Sequence, residues 1–78
     1  MVEIEPLGRL LREERIARGY SQASLAEQLG CSRTHVSQIE AGVRRPGYRL
    51  LARIAELTGI DLGRLAAAAA AVEAVAGG

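Results

Sequence analysis

The segment SRTHVSQIEA, residues 32–41, combines few apolar residues with many side chains that can form hydrogen bonds. Its two large apolar residues, Val36 and Ile39, are three positions apart and therefore share one face of a helix. The other positions hold mainly arginine, threonine, histidine, serine and glutamine. A helix held to a core by such a narrow apolar stripe leaves these side chains free to make hydrogen bonds to an external partner.

Positive charge is concentrated around the same segment. From Gly30 to Arg53 the chain carries five arginines and one acidic residue, whereas the remainder carries five arginines and eight acidic residues. A local net charge of +4 is thus balanced elsewhere to give a total of +1. Such a region is typical of a surface that binds a polyanion, although chance segregation of charge gives the same totals.

Catalysis and metal binding find little support in the composition. Cys31 is the one cysteine and His35 the one histidine, too few for a metal site of the usual ligands. Neither has an orienting partner visible in the sequence, so we expect no enzymatic activity, no metal and no cofactor. A buried thiol is favoured over a redox sensor for Cys31. With no disulfide pair and no apolar run of membrane-spanning length, we predict a soluble cytoplasmic protein.

Glycines divide the chain into five predicted helices. Gly19, Gly30, Gly42 and Gly59 each follow a helical pattern, and glycine commonly takes the left-handed conformation just past a helix end. The helices are predicted at 6–18, 22–29, 33–41, 48–58 and 62–76. We expect Ser21, Ser32 and Asp61 to be the N-caps of the second, third and fifth helices, respectively. The chain is therefore predicted to be all-α, with a core at 1–60 and an alanine-rich C-terminal helix at 61–78 of the same domain.

The spacing of residues 22–39 predicts two helices that cross steeply at a tight corner. Ala26 supplies the small residue that the crossing requires, and Gly30 accepts a positive φ at the corner. Val36 and Ile39 then hold the second helix against the core. Its opposite face is free to enter a groove.

In this register the sequence resembles the phage repressor and Cro-like helix-turn-helix family, also called the xenobiotic-response-element (XRE) family. The match runs from about Leu7 to Leu65. The residues that carry it are Arg15, Gly19, Ser21, Gln22, Leu25, Ala26, Gly30, Ser32, Val36, Ser37, Ile39, Glu40, Gly42, Pro46, Leu51, Ile54, Ala55 and Leu57. The resemblance implies a five-helix, lambda-repressor-like DNA-binding domain with its helix-turn-helix at helices 2 and 3.

The resemblance further implies that helix 3 lies in the major groove of DNA. The base-contacting positions of the family are occupied by Arg33, Thr34, Ser37 and Gln38, with Ser32 nearby at the helix start. Arginine pairs with guanine O6 and N7, glutamine with adenine N6 and N7, and a threonine methyl with the thymine methyl. An ordinary solvated helix face is the alternative.

Phosphate contacts are implied around this helix. The candidates are Arg15, Ser21, Gln22, His35, Arg44, Arg45 and Arg49. Gln22 starts helix 2, where the positive helix end favours an anion. His35 flanks the base-contacting face, so that a phosphate contact and simple solvent exposure are both open. General solubility is the alternative for Arg44 and Arg45.

Arg15 and Glu40 match a pair that, in relatives, links helix 1 to the end of helix 3. One interpretation is that the bridge orients the DNA-contacting helix and lets Arg15 face a phosphate. The other is that the bridge only helps the domain to fold.

The last helix carries a seam of apolar residues at spacings of three and four. Its members are Leu62, Leu65, Ala69, Val72 and Ala76. This pattern is typical of helix–helix contacts, and we predict a homodimer with helix 5 in or near the interface. The alternative is a helix that packs only on its own domain. A dimer places two copies of helix 3 about 34 Å apart, one turn of DNA, on an imperfectly palindromic operator.

These observations favour a sequence-specific, double-stranded-DNA-binding transcriptional regulator that is associated with the nucleoid through DNA binding. The size and the terminal helix resemble those of restriction–modification controller proteins and small phage repressors in the family. Those proteins often bind their own promoter region, so the resemblance implies control of its own promoter. The alternative is an antitoxin-type module that binds a toxin partner as well as DNA. A distinct toxin-binding tail would support that alternative, and none is apparent. An enzyme finds no support in the sequence.

Overall fold

Five α-helices make up the computed structural model, which describes residues 6–77 and the side chains of residues 6–70. They are α1 (Leu7–Ala17), α2 (Gln22–Leu29), α3 (Arg33–Glu40), α4 (Tyr48–Thr58) and α5 (Leu62–Gly77). The described residues contain no strand, and the all-α prediction is confirmed. Across the same residues, none of the helices has the length and apolarity needed to cross a membrane.

The helix ends follow local signals. The bounds of α2 and α4 and the starts of α3 and α5 are those predicted, and the remaining ends differ by one residue. Pro6 was expected inside the first turn of α1 but is its N-cap, because its ψ of 140° is extended. The predicted caps are confirmed: the Oγ atoms of Ser21 and Ser32 accept backbone N–H bonds at 3.0 and 3.1 Å, and Asp61 Oδ2 accepts one at 3.2 Å.

The corner between α2 and α3 depends on a left-handed glycine. Gly30 ends α2 with φ of 72°, which an L side chain rarely adopts. This conformation lets the N–H of Cys31 turn back and donate to the carbonyl of Ala26 at 3.0 Å. The glycines that follow α1, α3 and α4 also have positive φ, as predicted. The corner thus fixes the direction in which α3 leaves α2.

The core is aliphatic and receives side chains from all five helices. Its buried members are Leu7, Leu10, Leu11, Leu25, Ala26, Leu29, Val36, Ile39, Leu51, Ile54, Leu65, Ala68 and Ala69. Val36 and Ile39 are completely covered, which confirms their predicted role as anchors of α3. Burial of each large aliphatic side chain stabilises the fold by about 1.5–3 kcal/mol.

The seam on α5 requires a correction. Leu65 and Ala69 were expected at a dimer interface, but they are 0% and 1% exposed within the domain's own core. The sequence suggested too few helices to cover this stripe, whereas α5 packs against both α1 and α4. Leu62 is half-buried against the same core. The side chains of Val72 and Ala76 lie outside the described residues.

A close contact between α1 and the end of α3 passes through Gly8. A Cβ atom added to Gly8 would lie 2.5 Å from the carbonyl oxygens of both Ile39 and Glu40. These oxygens are backbone atoms and cannot rotate away. Glycine at this position therefore allows α1 to pack directly on the C-terminal turn of α3.

Candidate nucleic-acid interface

The outward face of α3 is polar and open. Arg33, Thr34 and Ser37 are exposed, and so is Ser32 at the helix start, whereas Gln38 is half-buried. Because Val36 and Ile39 point into the core, these side chains lie on the opposite part of the helix surface. The structure thus brings together the five residues proposed to contact bases.

Gln38 has a neighbour in the loop that follows α3. Arg44 Nη1 donates to Gln38 Oε1 at 3.4 Å, an exposed and long hydrogen bond. A bond of this length is weak and can be exchanged for a bond to another partner. Both side chains therefore remain able to bind an external group.

A largely buried ion pair joins the end of α3 to α1. Arg15 Nε donates to Glu40 Oε2 at 2.7 Å and Arg15 Nη2 donates to Glu40 Oε1 at 3.2 Å. The side chains are only 15% and 6% exposed. Arg15 Nη1 also donates to the carbonyl of Tyr20 at 3.0 Å, which fixes the plane of the guanidinium. The predicted partners meet, in a bidentate geometry that charge-assisted pairs favour.

Gln22 joins this ion pair from α2. Its Nε2 donates to Glu40 Oε1 at 3.1 Å, so a single carboxylate contacts α1 and α2 from the end of α3. The sequence predicts a phosphate contact for Gln22 and contains no signal for this bond. One side-chain N–H of Gln22 remains for a phosphate. The small exposure of Arg15 restricts its own access to one.

The other phosphate candidates surround α3. Arg44 and Arg45 are exposed in the loop after α3, and Arg49 is exposed on α4. Ser21 is exposed at the start of α2, where its hydroxyl caps the helix and contacts the Ser24 hydroxyl at 3.1 Å. These positions form a mainly basic border around the polar face of α3.

His35 and Cys31 line a cleft beside α3. His35 is half-buried, and its Nε2 is covered and has no hydrogen-bond partner among the described residues. One edge of the imidazole is therefore covered, whereas the residue as a whole remains partly exposed. Burial raises the pKa of the half-buried Cys31 thiol. A protonated thiol is a poor nucleophile, in keeping with the interpretation of Cys31 as a packing residue.

Residues 11–65 match the family described as helix-turn-helix, which covers more than half of the chain. This protein belongs to the helix-turn-helix family. Membership makes it a DNA-binding regulator and not an enzyme, and the resemblance found in the sequence is confirmed. Among the described residues no group of three or more potential metal ligands comes together.

Two curated relatives match this helix-turn-helix protein. It is 39% identical over 62 residues to the ImmF control region 10 kDa protein of Bacillus phage phi105. This alignment covers 80% of this chain and 69% of the phage protein. It is 42% identical over 55 residues to the HTH-type transcriptional regulator RamB of Mycobacterium tuberculosis. The second match covers 70% of this chain but 12% of RamB, so this chain spans about an eighth of that relative.

A solved structure supports the same fold. The restriction-modification controller protein C.AhdI from Aeromonas hydrophila aligns with a TM-score of 0.67 at 34% identity. The alignment covers 76% of this chain and 86% of C.AhdI. The five-helix arrangement is therefore similar to that of a known helix-turn-helix controller.

Proposed function

We propose that this protein binds a palindromic operator as a homodimer, with α3 of each copy in the major groove, and controls transcription from its own promoter at the nucleoid. The observation that carries the proposal is the division of α3 into two faces. Val36 and Ile39 are buried, and the residues opposite them carry donors and acceptors that face outward. This arrangement exposes a recognition surface without opening the core.

The roles within the interface follow from chemistry. The guanidinium of Arg33 can donate two hydrogen bonds to guanine. The amide of Gln38 has the donor and the acceptor that pair with adenine N7 and N6. Arg44, Arg45 and Arg49 flank α3, where arginines suit the phosphate backbone. Base contacts specify sequence, whereas phosphate contacts set affinity and position.

An exposed apolar surface supports the homodimer. Tyr48 and Val43 are each 74% exposed, and an apolar side chain in water gains free energy when a partner covers it. Tyr48 borders a cleft of about 410 Å³ between the start of α4 and α5. Apart from Arg64, the exposed residues of α5 that the structure describes are small and permit close approach of a second helix, namely Gly63, Ala66, Ala67 and Ala70. We therefore propose a dimer contact through this outward face and Tyr48, in place of the buried seam.

Self-regulation is proposed from the kinds of relatives that match. One is named for a phage control region and one is a restriction-modification controller. Both names describe control, and RamB is named as a transcriptional regulator. An antitoxin-type role has no structural observation of its own in its favour.

The test is footprinting of the purified protein on DNA from upstream of its own gene, at near-physiological salt. We expect a protected palindrome with half-sites about 34 Å apart, one turn of DNA. Arg33→Ala should cost about 1–3 kcal/mol and relax base preference at one position per half-site. Arg45→Ala should weaken binding to all sequences and lower the salt slope by about one.

Arg9→Ala is the matched control, because Arg9 is an exposed arginine of α1 that pairs with Glu13. It should leave the footprint unchanged. Equal losses for Arg33→Ala and Arg45→Ala on every sequence would contradict the assigned roles. Protection that appears only after addition of a protein encoded by a neighbouring gene would favour the antitoxin alternative.

A further inference from the structure

A cleft lies between the α2–α3 corner and α4, beside the DNA-contacting face. Its volume of about 580 Å³ falls within the range of about 300–1,000 Å³ that is usual for small-ligand sites. Leu29 and Leu50 supply apolar wall, and the polar groups come from Ser32, His35, Arg49 and Arg53. No sequence pattern assigned a role to Arg53.

Two arginines place positive charge at this cleft. Arg49 and Arg53 are four residues apart on α4, so their side chains are neighbours on one helix face. Within the described residues, neither forms an ion pair or a hydrogen bond. Like charges at this spacing repel each other, and an anion bound between them would remove the repulsion.

Arg53 lies over the α2–α3 corner, beside the glycine that ends α2. Arg53 Nη1 lies 3.7 Å from the position that a Cβ atom would take on Gly30. Ser32, the N-cap of α3, also lines the cleft, which brings the positive end of that helix to the wall of the cleft. Arg53 and the start of α3 therefore line the same cleft.

His35 supplies an independent observation. Its Nε2 is covered by protein, has no partner among the described residues, and belongs to a side chain that lines the cleft. A buried polar atom without a partner is unfavourable, and most such atoms in proteins are satisfied by a protein group, a water or a ligand. Because this nitrogen is covered, the half-buried imidazole has to turn before an oxyanion in the cleft can accept a hydrogen bond from it.

We propose that the cleft binds a phosphate group, held by the guanidiniums of Arg49 and Arg53 and by His35. The phosphate has two possible sources. It is either a backbone phosphate of the operator, an assignment that rests on the proposed function, or a free phosphorylated small molecule. A free ligand at this position changes the charge beside α3 and thereby lowers the affinity for DNA.

The first experiment is a titration of ¹⁵N-labelled protein with inorganic phosphate, followed by NMR at constant ionic strength with chloride as the reference salt. We expect saturable shifts in the amides of residues 30–35 and 49–53. Arg53→Gln removes one charge-assisted contact and should weaken phosphate binding by roughly tenfold. Arg12→Gln, at an exposed arginine of α1, is the matched control and should bind phosphate as the wild type does.

The second experiment distinguishes the two sources through the salt dependence of DNA affinity. A salt slope lowered by about one in Arg53→Gln, with Arg12→Gln unchanged, assigns the site to a DNA phosphate. Saturable phosphate binding with an unchanged slope assigns it to a free ligand. Shifts that are linear and equal in all variants, together with an unchanged slope, overturn the proposal. Failure of the proposed function differs from this result, because the protein then binds no operator while the phosphate titration still saturates.

Discussion

Replacement of Glu40 by alanine tests whether the buried ion pair stabilises the domain. The change removes the acceptor of two hydrogen bonds from Arg15 and one from Gln22. It leaves a guanidinium that is 15% exposed without its counter-charge. Removing one partner of a buried pair costs about 3–5 kcal/mol, because the other charge stays desolvated.

The lower end of that range applies here. Arg15 keeps its bond to the carbonyl of Tyr20, and loss of Glu40 opens a path for water to the guanidinium. We therefore expect a loss of about 3 kcal/mol in the free energy of unfolding. A domain of this size has a total stability of about 4–12 kcal/mol at the usual value per residue. At about 4–8 °C per kcal/mol, the Tm should fall by about 12–24 °C.

Thermal and urea denaturation, followed by circular dichroism, measure this loss. Glu13→Ala is the matched control, because Glu13 pairs with Arg9 on the surface, with side chains 58% and 72% exposed. Its effect should stay below about 1 kcal/mol. The double variant Arg15→Ala/Glu40→Ala should be more stable than the sum of the single losses implies. A Tm for Glu40→Ala equal to that of Glu13→Ala would refute the reasoning.

The same pair allows its two interpretations to be separated. Glu40→Gln keeps the shape of the side chain but removes its charge, and can be compared with wild type at a temperature where both are folded. If the bridge orients α3, operator affinity falls in this variant although the folded fraction does not. If the bridge only stabilises the fold, operator affinity is retained.

Three further predictions concern packing, association and reactivity. Gly8→Ala should destabilise the domain by about 1–3 kcal/mol in urea denaturation, because the added Cβ would overlap backbone oxygens of α3. An unchanged midpoint of unfolding would exclude the close contact between α1 and α3. Tyr48→Ala should weaken the proposed dimer by about 2 kcal/mol or more in sedimentation equilibrium, whereas Ile16→Ala, at another exposed apolar residue, should not. Because burial raises the pKa of Cys31, its alkylation by iodoacetamide should require a higher pH in the folded chain than in the urea-unfolded chain. Coincident pH profiles of alkylation for the two states would contradict this prediction.

Local sequence signals were sufficient for the helix-turn-helix itself. The caps at Ser21 and Ser32, and Gly30 at the corner, act within a few residues of their partners, so their types and spacing predict the geometry. The anchors Val36 and Ile39 were predictable for the same reason, since helical periodicity places them on one face. The outward face of α3 follows from these anchors.

Contacts between distant segments were predicted less well. The Gln22–Glu40 bond joins residues 18 positions apart, and no local pattern indicates it. The burial of Leu65 depends on how α5 crosses α1 and α4, which the spacing along α5 cannot reveal. Gly8 did carry a signal, because an isolated glycine inside a helical pattern often has a packing reason. The cleft at Arg53 required the relative placement of α2, α3 and α4.

The separation of the two faces of α3 has a consequence for how such a protein can change. Val36 and Ile39 fix the buried face of α3 to the core. The Ser32 cap stabilises its first turn, and Gly8 contacts its last turn. Arg33, Thr34 and Ser37 add almost nothing to that attachment, so substitution there leaves the free energy of unfolding nearly unchanged. Operator preference can therefore drift, or be redesigned by randomising these positions, without compensating mutations elsewhere in the domain.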